Sequence, residues 1–240
     1  MSLPGKVDLV ATERRRILEE YRRRERSLDP NLYAPWQPGE EFLRAGRRRR
    51  AASMLKRAGV FPRAGDPCLE VGYGSLGWLG DLLCWGLKET DLHGIELDPA
   101  RAARARETLP AADLRVGDAT ALPWESDTFQ LVVVSTVFSS ILDSRVRRAL
   151  AQEILRVLAA GGALLFYDFA VNNPRNREVR RVGRAEVREL WKGLEGQVRT
   201  ATLAPPLARW LAPRSFLAAT LLEAIPFLRT HLIAVLMKRG

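Results

Sequence analysis

The stretch Leu69-Glu70-Val71-Gly72-Tyr73-Gly74-Ser75-Leu76-Gly77 decides the fold, because it runs an apolar segment straight into three closely spaced glycines. A short buried strand over 67–72 that ends on such a turn and continues as a helix over 76–86 is the opening of a parallel α/β sheet. Working outward, apolar runs at 92–97, 112–116, 129–135 and 162–169 alternate with helical patterns at 99–108 and 145–159. That alternation predicts helices on both faces of the sheet. Further on, a helix near 184–191 and strands at 197–203 and 230–238 enclose a proline-punctuated apolar segment, Leu207 to Leu228. Upstream, Thr12 is read as the cap of a helix running to Ser27, with Ile17, Leu18 and Tyr21 as its stripe and Glu19 and Glu20 paired to Arg23 and Arg24. A second helix over 39–58 collects Phe42, Ala45, Ala52, Leu55 and Ala58 on one face and puts Arg47 to Arg50 mainly on the other.

These patterns divide the chain into a helical N-terminal cap, 1–62, and an α/β domain, 63–240, whose glycine-loop core is 66–170 and whose terminal strands occupy 171–240. The 240 residues are 47% apolar and 28% charged, which excludes a disordered or collagen-like chain. Two cysteines, Cys68 and Cys84, are too few for a disulfide framework, no apolar run reaches the roughly 18–20 residues a membrane span needs, and no signal-peptide core is present, so a reduced, cytoplasmic chain without a transmembrane segment is expected. No His/Cys/Asp cluster has metal-ligand spacing. The net charge of +10 first points to nucleic acid. Its distribution says otherwise: residues 1–65 carry +8, 66–135 carry −7 and 136–240 carry +9.

The glycine loop satisfies G-x-G-x-x-G, the pattern of a dinucleotide site. A pyrophosphate would then sit beside Glu70 in the acidic segment, whereas S-adenosylmethionine, with an ammonium and a sulfonium and no phosphate, suits that charge. Glu96, 24 residues after Gly72, stands where a carboxylate can accept both ribose hydroxyls, and Asp118-Ala119 follows the third strand where adenine contacts are expected. The segments 69–74, 94–98, 117–135 and 153–169, in that order and spacing, resemble the class I S-adenosylmethionine-dependent methyltransferases, closest in pattern to the ubiquinone/menaquinone-type branch. The resemblance implies a Rossmann-like seven-stranded sheet of order 3-2-1-4-5-7-6 with strand seven antiparallel. It also implies cofactor contacts from Glu70, Gly72, Tyr73, Gly74, Glu96, Leu97, Asp118, Ala119 and Ser135. Leu76, Gln130 and Ala160 depart from the family pattern.

The acceptor is expected at the ends of strands four and five and at the start of strand seven. Asp168 is the preferred base or ammonium-binding group, beside Tyr167 and the polar run Asn172 to Asn176. His231 is expected to share a cavity with Asp168, while His93 reads as structural. The segment Leu203 to Leu228 reads as cover for the sheet edge, or as a surface for a lipid or quinone tail. The leading reading is N- or O-methylation of a small polar metabolite: a sugar, amino sugar or nucleotide-linked sugar, with the basic flanks suiting a phosphate-bearing acceptor and a homodimer compatible with it. The alternatives are a quinone-like or lipid-like acceptor, RNA, or a nucleic-acid-binding protein without catalysis.

Overall fold

The computed structural model describes residues 9–27, 29, 31–173 and 176–239; the first eight residues of the cap, and Pro174 and Arg175 of the polar run Asn172 to Asn176, lie outside them. Seven strands form one sheet: β1 (Cys68–Val71), β2 (Leu92–Glu96), β3 (Asp113–Val116), β4 (Phe129–Ser135), β5 (Leu158–Phe169), β6 (Leu194–Leu203) and β7 (Arg229–Lys238). Their order is β3-β2-β1-β4-β5-β7-β6. The first five are parallel, and β7 lies antiparallel between β5 and β6. This is the expected sheet.

Burial on both faces explains why the central strands read as continuous apolar runs. Val132, Val134 and Phe166 pack on one side with Leu150 and Ile154 of α5 (Ser144–Val157) and with Trp191, which follows α6 (Arg184–Leu190). Val133, Leu165 and Tyr167 pack on the other with Met54 and Leu55 of α2 (Pro38–Arg57), Leu79 and Leu82 of α3 (Leu79–Cys84) and Ala102 of α4 (Pro99–Thr108). The apolar segment after β6 folds as two helices, α7 (Pro205–Leu211) and α8 (Phe216–Ala224), which with Phe42 of α2 make a third small core.

Local differences from the sequence reading have physical reasons. Thr12 is not a cap, because α1 (Leu9–Ser27) is already helical at Leu9. Glu20 pairs with Arg23 at i,i+3, 2.7 Å, rather than at i,i+4. On α2 the buried face is Phe42, Gly46, Ala51, Met54 and Leu55, a rotation that brings Arg47 inward. Strand β5 begins four residues early, at Leu158 opposite Phe129, and a register shift before the Leu131–Ala163 pair absorbs Gly161 at φ +76° and Gly162.

Candidate cofactor and acceptor site

The glycine loop leaves β1 through Gly72 (φ +73°), Gly74 (φ +61°) and Gly77 (φ +53°), backbone conformations that side chains disfavour. Space is also exhausted: a Cβ on Gly77 would lie 2.3 Å from Glu70 Oε1, and one on Gly72 2.5 Å from Val137 Cγ2. Glu70 is 1% exposed, and its Oε2 accepts from the Trp78 and Leu79 N–H groups at 2.7 and 3.0 Å. The carboxyl group therefore closes the start of α3, where a dinucleotide fold would present free N–H groups to a pyrophosphate. Burial pushes the Glu70 pKa up to about 8, against those two N–H donors and the nearby Arg47.

Glu96, at the tip of β2, faces back over the loop. Its Oε2 accepts from Gly74 N at 2.8 Å and its Oε1 from Asp98 N at 2.9 Å, which leaves each oxygen a further lone pair. Asp118, past the tip of β3, uses Oδ1 for the Thr120 N–H and hydroxyl, both at 2.8 Å. Leu97 and Ala119 are half-buried against the core beside them. Tyr73 does not point into this cleft: its hydroxyl donates to Arg115 O at 3.2 Å and its ring fills the space beside Gly94, where a Cβ would come within 2.4 Å of it.

Helix α1 lies across the cleft. Glu13 accepts from the Leu142 N–H, while Arg16 donates to Ser140 O and to Glu178 at 2.7 Å. Tyr21 sits under the Arg101 guanidinium, 4.0 Å from ring centroid to Cζ, and Arg101 also meets Glu25 at 3.4 Å. Ile17 joins the same core cluster as Val71, Ile95 and Val134. The short apolar stripe on α1 thus roofs the strand tips.

On the acceptor side, β4 ends at buried Ser135, and Thr136 follows at φ +56°, an unfavourable conformation for a β-branched residue, with its N–H donated to Tyr167 O at 2.8 Å. Asp168 and His231 do not share a cavity. Phe169 pairs with His231 and Asp168 with Leu232, so strand alternation sends the two side chains to opposite faces of the sheet. Asp168 is fully buried, accepts from Ser139 N at 3.0 Å and Phe169 N at 2.8 Å, and is pushed up to about 6 by burial. His231 stacks on Tyr167 (4.8 Å between centroids) and leans on Phe169 (4.4 Å); burial and then Arg47 lower its pKa to about 3. Tyr167 donates to Thr202 Oγ1 at 2.8 Å. His93 stacks edge-on against Phe129, 5.1 Å away.

Sequence reasoning missed Arg47. Its guanidinium lies 4.2 Å over the Trp78 ring and 5.8 Å from the Tyr167 ring, and it reaches Asp81 at 3.4 Å. Its helical spacing to Ala51 and Met54, both buried, is the signal that would have found it. Among the described residues no group of His, Cys, Asp and Glu gathers as a metal site, and no helix is long and apolar enough to cross a membrane.

A family model described as a methyltransferase domain matches residues 68–162, the span from β1 into β5. Residues 68–162 thus match a methyltransferase domain, and the sheet around them is that of the class I fold. No curated protein matches the chain. Solved structures share the fold at low identity. A candidate sarcosine dimethylglycine methyltransferase from Galdieria sulphuraria superposes with TM-score 0.61 at 16% identity, covering 80% of this chain and 85% of that one. Phosphoethanolamine N-methyltransferase 2 of Haemonchus contortus, in complex with S-adenosyl-L-methionine, gives TM-score 0.59 at 18% identity, over 80% of this chain and 53% of that one. The [4+2]-cyclase SpnF gives 0.58 at 17% identity, over 80% and 81%.

S-adenosylmethionine is the cofactor of this class of methyltransferase domain, and the residues present fit it. Closure of the α3 start by Glu70 disfavours a phosphate, and the free lone pairs of Glu96 together with Asp118 suit a nucleoside bearing hydroxyls, an amino group and positive charge.

Proposed function

We propose that this methyltransferase moves a methyl group to nitrogen or oxygen of a small polar metabolite, a sugar, amino sugar or nucleotide-linked sugar. The observation that carries the cofactor half is the Glu70 carboxyl group seated on the Trp78 and Leu79 N–H groups, with Glu96 one hydrogen bond away on Gly74. S-adenosylmethionine supplies, when bound, an electrophilic methyl on a sulfonium. Glu96 holds the ribose hydroxyls, Asp118 receives the adenine amino group, and Gly72, Gly74 and Ser135 shape the cleft floor. Helix α1 excludes water above them, which aligns and desolvates the reacting centre, the main contribution a protein makes to an in-line displacement.

Asp168 acts on the acceptor side through position. Its carboxylate fixes the Ser139 N–H, and so the chain that turns back from β4 under α1. With a pKa near 6 it is largely ionised at neutral pH and has the strength of a general base; proton transfer to it would require Ser139 to move aside. Methyl incorporation into a panel of sugars, amino sugars and sugar nucleotides tests this acceptor class. Transfer to a member of the panel supports it, and transfer confined to quinones or lipids overturns it.

One observation favours that second reading: Trp210, Phe216, Leu217, Leu221 and Phe227 are all exposed around α7 and α8, at the acceptor end of β6 and β7. Such clustering is the kind of patch that meets an apolar ligand.

A further inference from the structure

The four-arginine run of α2 divides in two. Arg47 and Arg48 both reach Asp81, at 3.4 and 3.2 Å. Arg49 and Arg50 turn instead toward a hollow of about 300 Å³ between α2, β6 and α8, lined also by Ser53, Arg57, Arg199 and Glu223. Among the described residues none of these four arginines forms an ion pair, although thirteen other arginines do. A fifth, Arg229, is locked on the Glu223 and Ala224 carbonyls at 2.6 and 2.9 Å; burial and then the charge of Arg50 make its guanidinium easier to deprotonate. Four arginines gathered around a single acid, Glu223, that pairs with none of them repel one another, and an anion placed among them removes that repulsion.

Glu223 is the second observation. It is nine-tenths buried, and its carboxylate faces Gly46, whose added Cβ would meet Oε1 at 3.4 Å. Among the described residues no donor bonds its side chain, and it pairs with none of the arginines around it. It is an acceptor left for a ligand's own donor.

We propose that this hollow binds a small phosphorylated molecule, its phosphate held by Arg50, Arg57 and Arg199 and a neighbouring ammonium or hydroxyl held by Glu223. Guanidinium groups match phosphate oxygens in forked, charge-assisted hydrogen bonds. The hollow stands apart from the cofactor cleft: Arg199 is two residues, about 7 Å, along β6 from Ala201, the partner of His231, on the acceptor side of the sheet. Its volume suits a compact ligand, and no aromatic side chain lines it to stack on a base, which favours a small molecule over RNA.

Calorimetric titration of the full chain at fixed ionic strength tests this, with inorganic phosphate, glucosamine 6-phosphate and glucose 6-phosphate as probes. The expected result is saturable one-to-one binding that weakens about tenfold for each arginine lost in Arg50→Ser and Arg199→Ser. Arg188→Ser, an exposed arginine of α6, leaves it unchanged. Glu223→Gln is expected to tighten inorganic phosphate while weakening glucosamine 6-phosphate. Melting curves and a cofactor titration run on each variant report whether the chain is folded and whether the methyl-donor site, a separate claim, stands. Absence of saturable binding, equal loss in Arg188→Ser, or phosphate binding abolished by Glu223→Gln overturns the proposal. So does single-stranded RNA binding that needs Arg50 and Arg199 when no phosphate probe binds.

Discussion

Replacing Glu70 by Gln is expected to stabilise the protein, increasingly so as pH rises. The carboxyl is 1% exposed with a pKa pushed up from 4.5 to about 8, chiefly by burial. In the unfolded chain it ionises near 4.5; in the folded chain it holds its proton to about pH 8. A folded pKa above the unfolded one contributes stability that is intact below pH 4.5 and is lost as pH rises toward 8. Each pKa unit amounts to about 1.4 kcal/mol, so the loss is about 3 kcal/mol at pH 7 and about 5 kcal/mol above pH 8. Glutamine keeps one oxygen for Trp78 and Leu79, both of which bond the single atom Oε2, and has nothing to titrate. Urea unfolding of both proteins at pH 4.5, 6, 7 and 8.5 should show a gap that opens with pH in favour of the variant. A gap that does not change with pH would refute the buried, protonated carboxyl and with it this account of how the loop is closed.

Glu96→Ala removes the acceptor for two ribose hydroxyls, each bond to a charged group contributing about 1.5–3 kcal/mol; cofactor affinity measured by calorimetry should fall at least tenfold, while Glu96→Gln retains part of it. Arg101→Ala unties α1 at both Tyr21 and Glu25, so stopped-flow cofactor association and dissociation should both accelerate with a smaller change in affinity. His231, with its folded pKa depressed from 6.5 to about 3, contributes stability that is present above pH 6.5 and lost as pH falls toward 3. His231→Phe should therefore move the midpoint of acid unfolding to lower pH, and any inflection in turnover between pH 6 and 7 should survive the substitution.

The glycine loop and the seven strands were legible because each rests on local signals: strand-length apolar runs, a turn that only glycine tolerates, and carboxylates at fixed offsets past strand tips. The pairing of Asp168 with His231 failed for a reason of register. Antiparallel β7 meets β5 in the register Phe169↔His231, and a one-residue offset sends neighbours to opposite faces. That register is fixed by packing across the sheet, which spacing along one chain does not reveal. Arg47 was hidden by its company: within a run of four arginines its solvent-facing neighbours dominate the pattern, and only the close packing of α2 on Trp78 singles it out. Glu70 was read as a ligand because its charge suited the cofactor, yet its hydrogen bonds run to α3, a contact made by the turn of the chain. The charge of +10 likewise resolves by location: among the described residues thirteen arginines pair with acids, and four of the unpaired ones, Arg49, Arg50, Arg57 and Arg199, line the hollow beside α2.

Parallel calorimetric titration of the full chain with S-adenosylmethionine and with NAD tests the central claim most directly. The account predicts saturable binding of S-adenosylmethionine, weakened in Glu96→Ala, and no binding of NAD, because Glu70 occupies the position a pyrophosphate needs. Tight NAD binding with no response to S-adenosylmethionine would contradict it.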